Sequence, residues 1–191
     1  MDNKEKQLIN LILKGEGGYA NDSADRGKET YCGIASAFFP NWKGWKILKK
    51  YKPLKYNQVI TTDAELVELV LEFYEEEFYN KLKIENIDYI LLAGHVLDHG
   101  VNAGIKNGVK LLQKAINTVY GVNISVDGII GNTTLSYVNG NKTKELAQEY
   151  INQRKQYYNS IVKKNSSLQK FLKGWLKRID ETTKYLNDLT L

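Results

Sequence analysis

The chain has a single cysteine, Cys32, in 191 residues, so no intramolecular disulfide can form and the fold must stand on packing alone. No apolar run reaches the roughly eighteen residues that a membrane-spanning helix needs, so no stable membrane insertion is expected. There is no internal repeat, no low-complexity tract and no Pro-rich or Gly/Ser-rich linker. The N-terminus reads Met-Asp-Asn-Lys-Glu-Lys and runs into a short apolar stretch without the layout of a signal peptide, which predicts synthesis in the cytoplasm. With two histidines in the chain, His95 and His99, H-E-x-x-H and a distant third histidine are both missing, and no Cys pair stands in for them. What is present is a hydrophobic content of 42%, enough for a substantial core in one domain or a domain with a small appended module. The formal charge of +5 favours anionic polymers. Its basic residues are scattered and belong to no nucleic-acid motif, so nucleic acid is not an expected partner.

The most informative stretch is Gly15 to Ile34, G-E-G-G-Y-A-N-D-S-A-D-R-G-K-E-T-Y-C-G-I. Upstream of it Leu8, Ile9, Leu11, Ile12 and Leu13 recur at helical spacing. Glu16 follows Ile12 by four residues and Leu8 by eight, so it stacks on the apolar stripe. A partly buried carboxyl at the carbonyl end of a helix suits a proton donor. Gly17 and Gly18 predict a left-handed exit from that helix and a backbone that a large ligand can approach. The following segment is rich in Asn, Asp, Ser and Gly and reads as a loop or short hairpin able to bring Asp25 and Thr30 across a cleft from Glu16. Two carboxyls in unlike environments are what glycoside hydrolysis requires, one to protonate the leaving oxygen and one to stabilise positive charge or activate water, with Thr30 to hold the water. The plainer alternatives are a solvated Glu16 beside a helix cap and an Asp25 that caps its own turn. Asp22 and Glu29 read as turn and surface residues. Cys32 reads as a small buried residue, because a thiol nucleophile wants a His base and both histidines are distant in sequence.

E-G-G-Y, then N-D-x-x-D-x-G and T-x-x-G-I, resembles the N-terminal signature of glycoside hydrolase family 108, bacterial and phage muramidases in which the Glu of E-G-G-Y is the catalytic acid. Glu16, Gly17, Gly18, Tyr19, Asn21, Asp22, Asp25, Gly27, Thr30, Gly33 and Ile34 all fall on the pattern. Ser23 and Arg26 replace prolines common in the family, and Lys28 replaces a second glycine. The order of Glu16, Asp25 and Thr30 is also similar to the triad of phage lysozymes, with the second gap one residue short. The resemblance implies catalysis by Glu16, Asp25 and Thr30, and a cleft lined by Tyr19, Asn21 and Tyr31.

Further along, Trp42 and Trp45 are either sugar-stacking residues or core fillers of a small lobe. Thr62 and Glu65 form a capping box for a helix that carries Leu66, Leu69, Val70, Phe73 and Tyr74 and runs on to Leu82, with Glu75, Glu76 and Glu77 on a solvated face. A strongly apolar helix follows over Tyr89 to Val101. It carries His95, Asp98 and His99, whose spacing allows a metal site; the segment instead resembles the family's D-x-x-V-N-x-G motif in Asp98, Val101, Asn102 and Gly104, and no metal or other cofactor is expected. From Leu112 to Leu135 the chain resembles peptidoglycan-binding modules, with L-Q-x-x-[LI]-N and V-D-G-x-x-G-x-x-T. Asp127-Gly128 makes the turn, and Asn132 or Thr133 caps the next helix. R-x-x-Y-Y (Arg154, Tyr157, Tyr158) and F-L-K-G-W-L-K-R-I (Phe171 to Ile179) extend the likeness. The last helix docks through Trp175, Ile179, Tyr185 and Leu186 and leaves Lys173, Lys177 and Arg178 solvated.

These readings predict a mainly α, lysozyme-like helical fold with at most a short β-hairpin between Tyr19 and Ile34. They divide the chain into a catalytic part at 1–92 and a helical peptidoglycan-binding part at 93–191, packed together as one compact body. The expected activity is hydrolysis of the β-1,4 bond between N-acetylmuramic acid and N-acetylglucosamine by a monomer acting on peptidoglycan at the cell wall. The alternative is a wall-binding or secretion-linked protein that keeps the scaffold without turnover.

Overall fold

The computed structural model describes residues 2–22 and 27–189. Eight α-helices and one three-stranded antiparallel sheet account for most of these residues, the mainly α class that the periodicity indicates. The chain divides into two compact units, one of residues 12–77 and one built from the residues through Leu11 and from Phe78 onward. No helix among the described residues is long and apolar enough to cross a membrane.

Helix α1 (Asn3–Gly15) opens with a reciprocal cap: the Glu5 N–H donates to Asp2 Oδ1 at 2.8 Å and the Asp2 N–H to Glu5 Oε2 at 3.2 Å. Leu8, Ile9 and Ile12 are wholly buried, as their spacing requires.

In the larger unit α4 (Ile90–Ala103) is buried along most of its length, and α5 (Ile105–Tyr120), α7 (Thr143–Lys164) and α8 (Gln169–Asp188) pack around it. A 22-residue α7 with a mostly polar surface is held by burying Leu146, Ala147, Tyr150, Ile151 and Tyr158 rather than by helix propensity. The turn before α6 (Asn132–Val138) explains the L-Q and V-D-G pairing. Gln113 donates to Asp127 Oδ1 at 2.8 Å and to the Ile129 carbonyl at 3.1 Å, while the Gly128 N–H donates to Gln113 Oε1 at 2.9 Å. Gly128 takes the left-handed φ of 83° that the turn needs. Neither Asn132 nor Thr133 caps α6; the N-cap is Gly131 and Asn132 is the first helical residue.

Buried polar groups hold α4, α7 and α8 in register. Arg154 is fully buried and pairs with Asp98 Oδ2, while its other terminal nitrogen lies 2.5 Å from His95 Nδ1. Arg178 donates to Asp98 Oδ1 at 2.8 Å, so this arginine is an anchor and not one of the solvated cations of α8. Its position beside a buried carboxylate is a tertiary fact that an amphipathic pattern does not carry. Thr183 Oγ1 donates to the Ile179 carbonyl at 2.8 Å and therefore accepts from His95 Nε2 at 3.0 Å. That leaves the Nδ1 lone pair of a neutral His95 for Arg154. Both ring nitrogens of His95 and both oxygens of Asp98 are thus engaged by protein groups, and among the described residues no cluster of three His, Cys, Asp or Glu could hold a metal. Burial works to raise the Asp98 carboxyl, and the charges of Arg154 and Arg178 outweigh it and hold the group low.

His99 is fully buried, neither ring nitrogen has a hydrogen-bond partner among the described residues, and Tyr150, Tyr157 and Tyr158 meet its ring edge-on at centroid distances of 6.3, 5.0 and 5.8 Å. Burial, aided by the Arg154 charge, pushes this imidazole down from 6.5 to about 3. A group whose folded value is depressed contributes stability that is fully present above its unfolded value and is lost as the pH falls. The thermal midpoint is therefore expected to fall as pH drops from 6.5 toward about 3, and His99→Phe should flatten that slope in melts recorded across the window. Arg154→Met leaves Asp98 buried with Arg178 alone and should cost about 3–5 kcal/mol in urea unfolding.

Candidate active site

All the residues of the Gly15 to Ile34 stretch that the structure describes belong to the 12–77 unit. Strands β1 (Ala20–Asn21), β2 (Glu29–Tyr31) and β3 (Ile34–Ala35) form its sheet, with Ala20 opposite Thr30 and Tyr31 opposite Ile34. The β2–β3 connection is a two-residue turn in which Cys32 and Gly33 both have positive φ, 47° and 77°. This is the turn whose twist matches that of the flanking strands.

Glu16 follows α1, its N–H reaching the Leu13 carbonyl at 3.3 Å, and its half-buried carboxyl lies on this turn. A Cβ placed on Gly33 would come within 2.8 Å of Glu16 Oε2 and 2.4 Å of the Tyr74 hydroxyl. Position 33 therefore needs glycine twice, for its backbone angle and for the space that the carboxyl and hydroxyl occupy. Tyr74 comes from α3 (Ala64–Tyr74) and donates its hydroxyl to the Cys32 carbonyl at 2.8 Å. The turn, the carboxyl and the tyrosine hydroxyl converge on one point. Sequence reasoning treated Tyr74 as a core residue; its partner lies 42 positions away, beyond any local pattern. The N-cap of α3 is Asp63, whose carboxylate accepts from the Leu66 N–H at 3.0 Å, one residue after the expected Thr62. The regular helix ends at Tyr74 and gives way to a π-helical turn over Glu75–Tyr79 instead of running to Leu82.

The paired glycines do something other than end the helix in a left-handed turn: neither Gly17 nor Gly18 has a left-handed φ. Gly18 donates its N–H to Asn57 Oδ1 at 2.7 Å, Tyr19 donates to the Gln58 carbonyl at 2.9 Å, and the Asn57 N–H returns a bond to the Tyr19 carbonyl at 2.7 Å. A Cβ on Gly18 would stand 2.5 Å from the Asn57 carbonyl oxygen and 2.6 Å from that of Gln58. The close approach that glycine allows is used by the chain's own 57–58 segment, which clamps the backbone just after Glu16.

The other expected site residues are distributed as follows. Thr30 stands in the middle strand, paired with Ala20 on one side and Ala35 on the other. Asp25 lies outside the described residues. Tyr31 is 1% exposed; its hydroxyl accepts from the Ile60 N–H at 2.9 Å and burial pushes it up to about 12, so it braces the core beneath the sheet. Trp42 donates to the Leu69 carbonyl at 3.2 Å and Trp45 to the Phe39 carbonyl at 2.8 Å. Their rings meet at right angles 5.1 Å apart, and Trp42 also stacks with Tyr31; the indole N–H groups are occupied within the protein. Cys32 is buried and its thiol is pushed up to about 11 by burial, the wrong direction for a nucleophile.

Tyr19 and Asn21 do share a groove of about 560 Å³. Tyr19 is buried at its floor, Asn21 is exposed, and Lys52 and Tyr56 complete its wall. Lys52 is ion-paired with Glu29 at 2.5 Å, and Tyr56 is 86% exposed. Tyr56 precedes the asparagine that clamps Gly18, and its exposure is a feature that no periodicity reveals.

A family model described as Glycosyl hydrolase 108 matches residues 9–104, and one described as Predicted Peptidoglycan domain matches residues 107–180. The structure is similar to that of Brucella abortus SagA, with a TM-score of 0.65 at 22% identity over 96% of this chain and 94% of that one, a likeness of fold. No curated protein has a matching sequence.

The clamp makes a sharp distinction between two adjacent glycines. Gly18→Ala should destabilise the protein by about 1–3 kcal/mol, because backbone must move to admit the methyl. Gly17→Ala meets one side-chain oxygen at 3.2 Å and should lower the thermal midpoint far less; equal midpoints for the two variants would remove the clamp from the account.

Proposed function

Because the chain belongs to the glycosyl hydrolase 108 family, a glycoside hydrolase family here joined to a region that matches a peptidoglycan domain, we propose that it is an N-acetylmuramidase. On this reading it cleaves the β-1,4 bond between N-acetylmuramic acid and N-acetylglucosamine in the cell wall. The observation that supports it most is the placing of the Glu16 carboxyl against the Cys32–Gly33 turn beside the Tyr74 hydroxyl. A carboxyl held by a turn, a helix end and a backbone clamp loses little freedom on meeting its substrate.

Glu16 acts as the general acid, giving its proton to the glycosidic oxygen as the bond to the sugar breaks. Asp25, ionised, offsets the positive charge that develops on the sugar ring or takes a proton from the attacking water, which Thr30 orients. The ordering of Glu16, Asp25 and Thr30 favours attack by water with inversion. Tyr19, Asn21 and the exposed Tyr56 offer the sugar a groove in the same unit. Catalysis is assigned to the 1–92 part and attachment to the wall to 93–191, in a protein that works as a monomer.

Glu16→Gln preserves size and removes the transferable proton. Clearing of purified peptidoglycan should fall by roughly 10²-fold or more, with thermal stability equal or slightly higher. Mass analysis of the wild-type digest should find new reducing ends at N-acetylmuramic acid. Released peptides with intact glycan strands, or a Glu16→Gln variant as active as wild type, would overturn the assignment. Wild type that sediments with sacculi and never clears them would identify a binding protein instead.

A further inference from the structure

Of the R-x-x-Y-Y residues, Arg154 and Tyr158 are buried in the core, but Tyr157 is only half-buried. Its ring forms one wall of a groove of about 510 Å³ between α5 and α7, within the roughly 300–1,000 Å³ range of small-ligand sites. The ring is not free to turn away. His99 meets it at 5.0 Å and 89°, Tyr158 at 5.3 Å and 76°, and both of these are fixed in the core around Arg154. Leu111 is buried below the groove, and Lys114, Gln153, Gln156 and Ser160 line it along with Tyr157.

The polar groups of this groove are incompletely used by the protein. No aspartate or glutamate lines it, and neither the Lys114 ammonium nor the Gln156 amide has a partner among the described residues. Gln153 is held from within, donating to Glu149 at 2.9 Å with its amide oxygen shielded from the groove. Ser160 donates its hydroxyl to the Tyr157 carbonyl at 2.7 Å, which leaves its lone pairs to accept. A cation without an anion, a free side-chain amide, a spare acceptor and one fixed aromatic face are complementary to a short peptide that carries a free carboxylate. A bare glycan strand suits the groove less well, since sugar rings are held by aromatic faces and the groove offers Tyr157 alone.

We infer that the α5–α7 groove binds the peptide stem of peptidoglycan, with a stem carboxylate on Lys114, stem amides on Gln156 and Ser160, and an apolar stem side chain over Leu111 and Tyr157. The inference rests on the reading of the chain as a wall hydrolase and gives its second half a defined contact. The buried Asp98–Arg154 pair then has a role at the surface, because it sets the helix from which Tyr157, Gln153 and Gln156 project.

The test is co-sedimentation of the full chain with two kinds of sacculi, intact ones and ones whose stem peptides have been removed by an N-acetylmuramoyl-L-alanine amidase. Wild type should bind the intact sacculi more tightly. Lys114→Ala combined with Gln156→Ala, two exposed positions whose loss leaves the core untouched, should weaken that binding about tenfold, the loss expected for one charge-assisted hydrogen bond. Variant and wild type should bind stripped sacculi alike, and Lys114→Arg should restore most of the loss. Undiminished binding of the double variant to intact sacculi, or a wild type indifferent to the stems, overturns the proposal. Release of reducing ends from the stripped strands is a separate readout: its failure in wild type removes the muramidase reading, and its persistence in the double variant shows that the groove is not the catalytic site.

Discussion

Asp98 gives its two carboxylate oxygens to two different helices, Oδ2 to Arg154 of α7 and Oδ1 to Arg178 of α8, from a position inside α4. Hydrophobic contact is non-directional and sets the register of these helices less sharply than a paired charge does. A buried charge pair does not tolerate a shift in register, because any slip strands a desolvated carboxylate. His95 extends the constraint by accepting from Arg154 and donating to Thr183, so a second point on α8 is fixed by the same cluster. The apolar core around Ile151, Tyr158 and Ile179 supplies the energy, and the ion cluster chooses the register. His99 is the cost of this arrangement: it sits one residue from Asp98 on the same helix, inside the core, with no hydrogen-bond partner for either nitrogen among the described residues.

The 12–77 unit solves a different problem, the holding of one carboxyl by very short elements. Strands of two and three residues are too short to be stable by themselves. They are fastened by contacts from outside the sheet: Tyr74 on the turn, Ile60 on the Tyr31 hydroxyl, and the 57–58 segment on Gly18 and Tyr19. Each comes from a different part of the chain. The candidate site is therefore built by hydrogen bonds that span up to 42 residues, and Glu16 owes its position as much to Asn57 and Tyr74 as to the helix that precedes it.

That division also explains what the sequence disclosed. Helices with strong apolar periodicity, such as α1 and α4, were legible because burial alternates at the helical period, and the place of Glu16 at the end of α1 was legible because it continues the stripe of that helix. Features that depend on a distant partner were not. Arg178 sits among lysines on an amphipathic helix and reads as solvated until Asp98 is placed beside it. Gly18 reads as a helix terminator until Asn57 is found against it. Asp63 and Gly131 displace the expected caps by one residue or two, since several neighbouring polar residues can end a helix about equally well. Tyr56 carries no signal in its local sequence, and its exposure is a property of the folded surface alone.

Cys32 turns the two-residue hairpin into a built-in gauge of motion. It is the protein's one thiol, it is buried, and it is shifted to about 11, so in the closed state it should resist alkylating reagents at neutral pH. Any reaction reports the moments when the turn lifts away from Tyr74 and Glu16. Because the helical unit has no thiol of its own, the rate of labelling measures opening of the small sheet separately from global unfolding. The same atom would register any ligand that holds the turn closed as slower labelling, a readout of occupancy that requires no turnover.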